Sequence, residues 1–84
     1  MAPVEWVLRE RGLELERERK ARGLTRVQLV ALMQKEPECE GVVEQTIYKW
    51  ERGKGRPNLP QSLALERIFK KPVRKWYEAV EAGA

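Results

Sequence analysis

The chain has 84 residues, a net charge of +4, a single cysteine and no histidine, which is enough for one small domain with a modest core. The cysteine and histidine counts exclude an internal disulfide framework, a cysteine-clustered zinc site, a histidine metal site and a histidine-based catalytic triad. Because the apolar runs are short and the first residues lack the pattern of a signal peptide, we expect a cytoplasmic protein with no membrane span.

The N-terminal part of the chain is predicted to form two short helical segments separated by a glycine. Pro3 can start a short helix through Leu8, within an additional N-terminal segment over residues 3–11, and Gly12 is expected to interrupt it. A strongly charged segment from 13 to 22 follows. It ends at Gly23, a residue well suited to a helix C-terminus.

The next helix is predicted from its start signal. Thr25 is an N-cap candidate, and Gln28 three residues later completes a capping-box pattern. The sequence TRVQLVALM then places Leu29, Leu32 and Met33 at helical spacing. After it, QKEPECE over residues 34–40 is expected to form an acidic loop.

The second half of the chain is predicted to contain three more helices. One runs from about Val43 to Arg52, with Val43, Ile47 and Trp50 on one face, and ends at Gly53. Another starts at Leu59 or Pro60 and turns Leu63, Leu65, Ile68 and Phe69 inward. The last begins near Pro72 and carries Val73, Trp76, Tyr77 and Val80. The chain is therefore predicted to be all-α, a compact bundle of five or six short helices.

The charges are divided unevenly along the chain. Residues 17–28 carry five basic groups and one acidic group, and residues 49–75 carry nine basic and two acidic groups. The segments 1–16, 29–48 and 76–84 are each net acidic. This division indicates a basic face and a polyanionic partner, although a solvated charged surface would give the same counts.

The segments GLTRVQLVALM and GVVEQTIYKWERGKGRPNL resemble the lambda-repressor-like, or Cro/XRE, helix-turn-helix DNA-binding domain. The resemblance covers residues 13–77 and implies one helix-turn-helix domain over residues 1–84. The family has a shorter turn, so residues 34–40 are interpreted as an insertion, and Val42 or Val43 stands where it usually has a Ser or Thr cap. The matching positions are Arg19, Gly23, Leu24, Thr25, Leu29, Gly41, Ile47, Trp50, Glu51, Gly53 and Pro57.

The resemblance implies that the helix over residues 43–52 enters the major groove of DNA. Its outer face carries side chains of the types that pair with base edges, namely Glu44, Gln45, Tyr48 and Lys49. Phosphate contacts are expected from Thr25 and Arg26 at the start of the preceding helix, and from Arg52, Lys54 and Arg56 after the groove-entering helix. The resemblance also implies a structural ion pair between Arg19 and Glu51.

Together these features predict a sequence-specific double-stranded DNA-binding transcriptional regulator, a repressor of phage or antitoxin type. We expect it to act as a homodimer, with Trp76, Tyr77 and Val80 at the dimer contact. The alternative is a protein-interaction module of helix-turn-helix fold, which binds a partner such as RNA polymerase or a toxin through the acidic segment 34–40. Its three glutamates would repel phosphate, so we expect this segment to point away from the duplex. No constellation of catalytic residues is visible, and we expect no enzyme activity, cofactor or metal.

Overall fold

The computed structural model describes the backbone of residues 4–77 and the side chains of residues 6–77. No β-strand occurs in this range, so the described chain is all-α, as predicted. None of the helices among the described residues combines the length and the apolar character that a membrane span requires. The helices are α1 (Val4–Ala21), α2 (Arg26–Met33), α3 (Glu44–Glu51), α4 (Leu59–Phe69) and α5 (Val73–Trp76), with a 3₁₀-helix (Pro37–Cys39) between α2 and α3.

Helix α1 is one continuous helix, so the predicted interruption at Gly12 is wrong. A Cβ atom at this position would lie 2.4 Å from the Trp50 carbonyl oxygen and 2.5 Å from that of Glu51. Glycine is therefore required because the backbone of α1 rests directly on the last carbonyls of α3. The helix tolerates it because glycine costs only about 1 kcal/mol relative to alanine in a helix interior. The helix ends just before Gly23, whose φ of +66° fits the predicted C-terminal role.

The predicted capping box of α2 is confirmed. Thr25 Oγ1 accepts a hydrogen bond from the Gln28 N–H at 3.1 Å, and Gln28 Oε1 accepts one from the Thr25 N–H at 2.9 Å. Asn58 and Gln61 form the same reciprocal pair at the start of α4, with both bonds at 2.9 Å. Side chains thus satisfy backbone donors at the first turns of both helices.

The segment 34–40 contributes to the core, although the sequence predicts a loop inserted into the turn. It contains the 3₁₀-helix, and the Cys39 side chain is fully buried. Burial, followed by the charges of Glu36 and Glu38, raises the pKa of the Cys39 thiol, so the group behaves as a small apolar side chain. Glu36 accepts a hydrogen bond from Arg67 Nε at 3.1 Å, which ties the segment to α4.

The core lies where α3 packs against α1 and α2, and where α4 packs against α2, the 3₁₀-helix and α5. Ile47 and Trp50 are buried as predicted, but Val43 is 51% exposed. Val43 has extended backbone angles, with φ −129° and ψ 175°, so it lies just before the helix and the helical spacing of buried residues does not apply to it. Val42 is buried instead. The core side chains are Leu15, Leu29, Met33, Cys39, Val42, Ile47, Trp50, Ala64, Leu65, Phe69, Val73 and Tyr77.

The C-terminal helix is short and its side chains differ in exposure. Leu65 and Phe69 of α4 are buried as predicted, whereas Leu63 and Ile68 are half-buried. Tyr77 is buried in the core of its own chain and Trp76 is half-buried. Of the three residues expected at a dimer contact, Tyr77 is therefore not part of an exposed surface, and Val80 lies outside the described residues.

Candidate nucleic-acid interface

The outer face of α3 collects the side chains that the sequence predicts to contact bases. Five exposed residues on this helix and its C-terminal cap lie within an arc of about 140°, given 100° of rotation per residue. The opposite face is buried through Ile47, Trp50 and Glu51. The exposed set is Glu44, Gln45, Tyr48, Lys49 and Arg52.

An open groove runs between the start of α2 and the first turns of α3, with a volume of about 440 Å³. Val43 and Tyr48 give it apolar surface, and its other lining residues are Arg26, Glu44 and Gln45. None of the residues 34–40 lines this groove. The groove therefore presents polar and apolar groups side by side, which is what the edges of base pairs present in a major groove.

The first turn of α3 lacks a side-chain cap, in agreement with the valine found there. Thr46 Oγ1 accepts a hydrogen bond from the Val43 N–H at 3.2 Å, but the Val43 side chain has no atom that can accept one in return. By contrast, Thr25 caps α2 with its oxygen, and the hydrogen of its exposed hydroxyl can still be donated to a ligand.

Tyr48 lies between two guanidinium groups. The Arg26 guanidinium carbon is 5.1 Å from the centre of the Tyr48 ring, and that of Arg52 is 5.2 Å from it. Both distances are within the range of cation–π attraction. These contacts hold the tyrosine ring, which is 36% exposed, at the centre of the outer face.

Arg26 is half-buried and pairs with two carboxylates, which the sequence alone does not predict. Its Nε donates to Glu51 Oε1 at 2.9 Å, and its Nη2 lies 3.6 Å from Glu16 Oε2. The predicted Arg19–Glu51 pair is present as well, with Arg19 Nε donating to Glu51 Oε2 at 2.6 Å. Glu51 thus joins α1, α2 and α3. Its side chain is only 1% exposed, so both of its arginine partners compensate a buried charge.

A second open groove, of about 270 Å³, lies between α1 and the end of α3. Its lining residues are Arg9, Leu13, Tyr48, Glu51, Arg52 and Lys54. Within residues 6–77, Lys49, Arg52 and Lys54 form no ion pair, in contrast to Arg26. The sequence gives no signal for Arg9 at this site, because its position depends on α1 continuing through Gly12.

Arg56 lines neither of these two grooves. It is half-buried, and its positive charge acts on the hydroxyl of Tyr77. Burial raises the pKa of Tyr77 to about 12, and the charges of Arg11 and Arg56 oppose that rise. Arg56 therefore stands beside the C-terminal part of the core.

No protein-family model, curated protein or solved structure matches this chain.

Proposed function

We propose that this protein is a sequence-specific double-stranded DNA-binding transcriptional regulator, a repressor, in which α2 and α3 act as a helix-turn-helix. The observation that carries the proposal is the outer face of α3. It combines hydrogen-bonding side chains with Lys49, Arg52 and Lys54, three cations that no carboxylate within residues 6–77 neutralises. Unpaired cations beside a polar helix face suit a ligand that supplies phosphates and base edges together.

The side chains divide into base contacts and phosphate contacts. Gln45 is suited to adenine, Lys49 to guanine and Glu44 to cytosine, and Tyr48 stands between them. Arg52 and Lys54, together with the Thr25 hydroxyl, are assigned to phosphates. The ion pairs of Arg26 give it a structural role in supporting Tyr48 and Glu51. Its remaining N–H groups are assigned to a phosphate.

A homodimer is part of the same proposal. One domain of this size covers about one half-site, and specific affinity usually requires two half-sites related by two-fold symmetry. Because Tyr77 is buried in its own chain, the dimer contact is assigned to the surface around the half-buried Trp76.

Selection of bound sequences from a random DNA pool tests this function. We expect enrichment of a two-fold symmetric site, and binding whose affinity falls steeply as salt rises. The absence of any enriched sequence, together with no gel shift at about 50 mM salt, would contradict the proposal.

The second candidate is a protein-interaction module, and one surface favours it. A groove of about 210 Å³ is lined by Glu38, Leu59, Pro60, Leu63 and Arg67, and Leu59 is 57% exposed. A partner with apolar and basic side chains would fit this groove beside the acidic segment. A protein of this second kind would fold normally and bind no DNA in the selection experiment.

A further inference from the structure

We propose that the groove between α1 and the end of α3 binds a DNA phosphodiester, with Arg9 joining Arg52 and Lys54 as a backbone contact. This inference rests on the proposed function and extends it to α1. Arg9 lies in the N-terminal segment that precedes the family resemblance, so the resemblance assigns it no role.

Close backbone packing fixes the position of Arg9. Gly53 has a φ of +72°, and a Cβ atom there would lie 2.7 Å from the Cα of Arg9 and 2.8 Å from its backbone nitrogen. Gly12, one turn further along α1, rests in the same way on the carbonyls of Trp50 and Glu51. Two glycine contacts thus hold this part of α1 against the end of α3. Arg9 is therefore presented from a helix that packs closely on the end of α3.

The charges around the groove favour an anion. Arg9, Arg52 and Lys54 form no ion pair with any residue in the range 6–77. Among the described residues that line the groove, Glu51 is the one carboxylate, and its oxygens already accept hydrogen bonds from Arg19 and Arg26. The negative charge of Glu51 is therefore already compensated. Three cations, on α1 and at the end of α3, line the open groove.

The apolar part of the lining distinguishes a nucleic-acid phosphate from a free phosphate ion. Leu13 is 49% exposed and Tyr48 is 36% exposed at this groove. An inorganic ion would leave both in water, whereas the deoxyribose on either side of a phosphodiester would cover them. Tyr48 also borders the groove assigned to base edges, so one strand can pass from Arg9 to the bases without leaving the protein surface.

The test uses the DNA site obtained by selection and a matched pair of variants on one helix. Arg9→Gln removes the proposed contact, and Arg17→Gln removes the same charge from an exposed position where Arg17 pairs with Glu14. Each phosphate contact contributes about 0.9 to the slope of log affinity against log salt. We expect Arg9→Gln to lower the slope by about 0.9. The ratio of the parent's affinity to that of Arg9→Gln should therefore fall about threefold between 50 and 200 mM salt. Arg17→Gln should leave the slope unchanged.

Uncharged methylphosphonates placed one at a time along the site identify the phosphate itself. One substitution should weaken the parent and the Arg17→Gln protein more than it weakens Arg9→Gln, because Arg9→Gln has already lost one of the contacts to that phosphate. If Arg9→Gln and Arg17→Gln behave alike while Lys54→Gln lowers the slope, the inference is wrong and the proposed function stands. If the parent binds no DNA, both the inference about Arg9 and the proposed function are wrong. Binding of inorganic phosphate by the parent with the same dependence on Arg9, in the absence of a DNA effect, would also overturn the inference. Thermal unfolding of each variant verifies that it is folded.

Discussion

The cations of this protein fall into two regions that differ in what they contact. In one region, cations pair with carboxylates of other elements and connect them, as Arg19 and Arg26 do at Glu51 and Lys71 does at Glu18. Around the end of α3, Lys49, Arg52 and Lys54 have no such partner within residues 6–77. The same residue types thus stabilise the fold in one region and leave a positive surface in the other. The carboxylates that a cation contacts in the folded chain, more than the number of charges in a segment, distinguish a structural cation from a ligand-binding one.

The largest expected effect lies in the paired region, at the shared carboxylate. Glu51→Gln would leave two arginine side chains, at 7% and 25% exposure, without their common counter-charge. Breaking a buried pair in this way costs about 3–5 kcal/mol. Urea unfolding should show a loss of stability of this order. Glu14→Gln, which breaks the exposed pair with Arg17, should cost at most about 1 kcal/mol. Equal losses for both variants would mean that burial does not separate these pairs.

A glycine contact joins the two regions, and replacing this glycine should cost less stability than Glu51→Gln. Gly12→Ala would place a Cβ atom 2.4 Å from the Trp50 carbonyl oxygen, a contact that only a backbone shift can relieve. Overpacking of this kind costs about 1–3 kcal/mol, and here it must exceed the helix preference of alanine, about 1 kcal/mol.

Gly55→Ala is the matched control, because its Cβ atom would lie 3.9 Å from Trp50 Cδ1, an ordinary contact. We expect unfolding free energies within about 0.5 kcal/mol of the parent for this control. A Gly12→Ala protein as stable as the parent would show that α1 and α3 can separate without cost.

The sequence predicts elements whose signals are local and misses those that depend on distant packing. The capping box at Thr25 and the burial of Ile47 and Trp50 follow from spacing of three or four residues, and the structure shows them. Gly12 suggests a break in the helix, because the feature that requires glycine there, the backbone of α3, lies about forty positions away in the chain.

The candidate site shows the same limit. The shared outer face of α3 follows from helical periodicity alone. The pairing of Arg26 with Glu51 joins residues 25 positions apart, and it appears only once α2 and α3 are packed. Cys39 likewise could not be assigned to the core, because three glutamates within residues 34–40 suggested solvent. Periodicity also predicts a buried Val43, because it does not show at which residue the helix begins.

In the unpaired region, substitutions should change DNA binding and leave stability intact. Gln45→Ala should lose discrimination at one base position, worth about 1–3 kcal/mol, and keep the salt dependence of the parent. Lys54→Ala should weaken binding to all sequences alike and lower the salt slope by about one unit. Affinity measured on the selected site and on single-base variants separates the two. Identical profiles for both variants would contradict the division into base and phosphate contacts.

The smallest expected effect is a change in how the unfolding free energy depends on acidic pH, in the region where cations pair with carboxylates. Glu18 Oε1 accepts a hydrogen bond from Lys71 Nζ at 2.8 Å, and Arg22 Nη1 donates to Glu18 Oε2 at 2.5 Å. The hydrogen bond from Lys71, and as the second contribution that from Arg22, holds the pKa of Glu18 below its ordinary value of 4.5. A carboxylate whose pKa is lower in the folded state stabilises the fold above the unfolded pKa, and this stabilisation is lost as pH falls through the folded value.

Lys71→Gln should therefore cost less than about 1 kcal/mol at neutral pH, since Lys71 is half exposed. Its unfolding free energy should fall less than that of the parent when the pH drops below 4.5, because part of the acid-sensitive interaction is already gone. Lys75→Gln removes the same charge from an exposed side chain that forms no ion pair within residues 6–77, and it should keep the acid dependence of the parent. If Lys75→Gln flattens the curve as much as Lys71→Gln does, the effect comes from net charge and not from the contact with Glu18. Pairing would then make no measurable difference between the two cations, and the contrast between the regions would not extend to this pair.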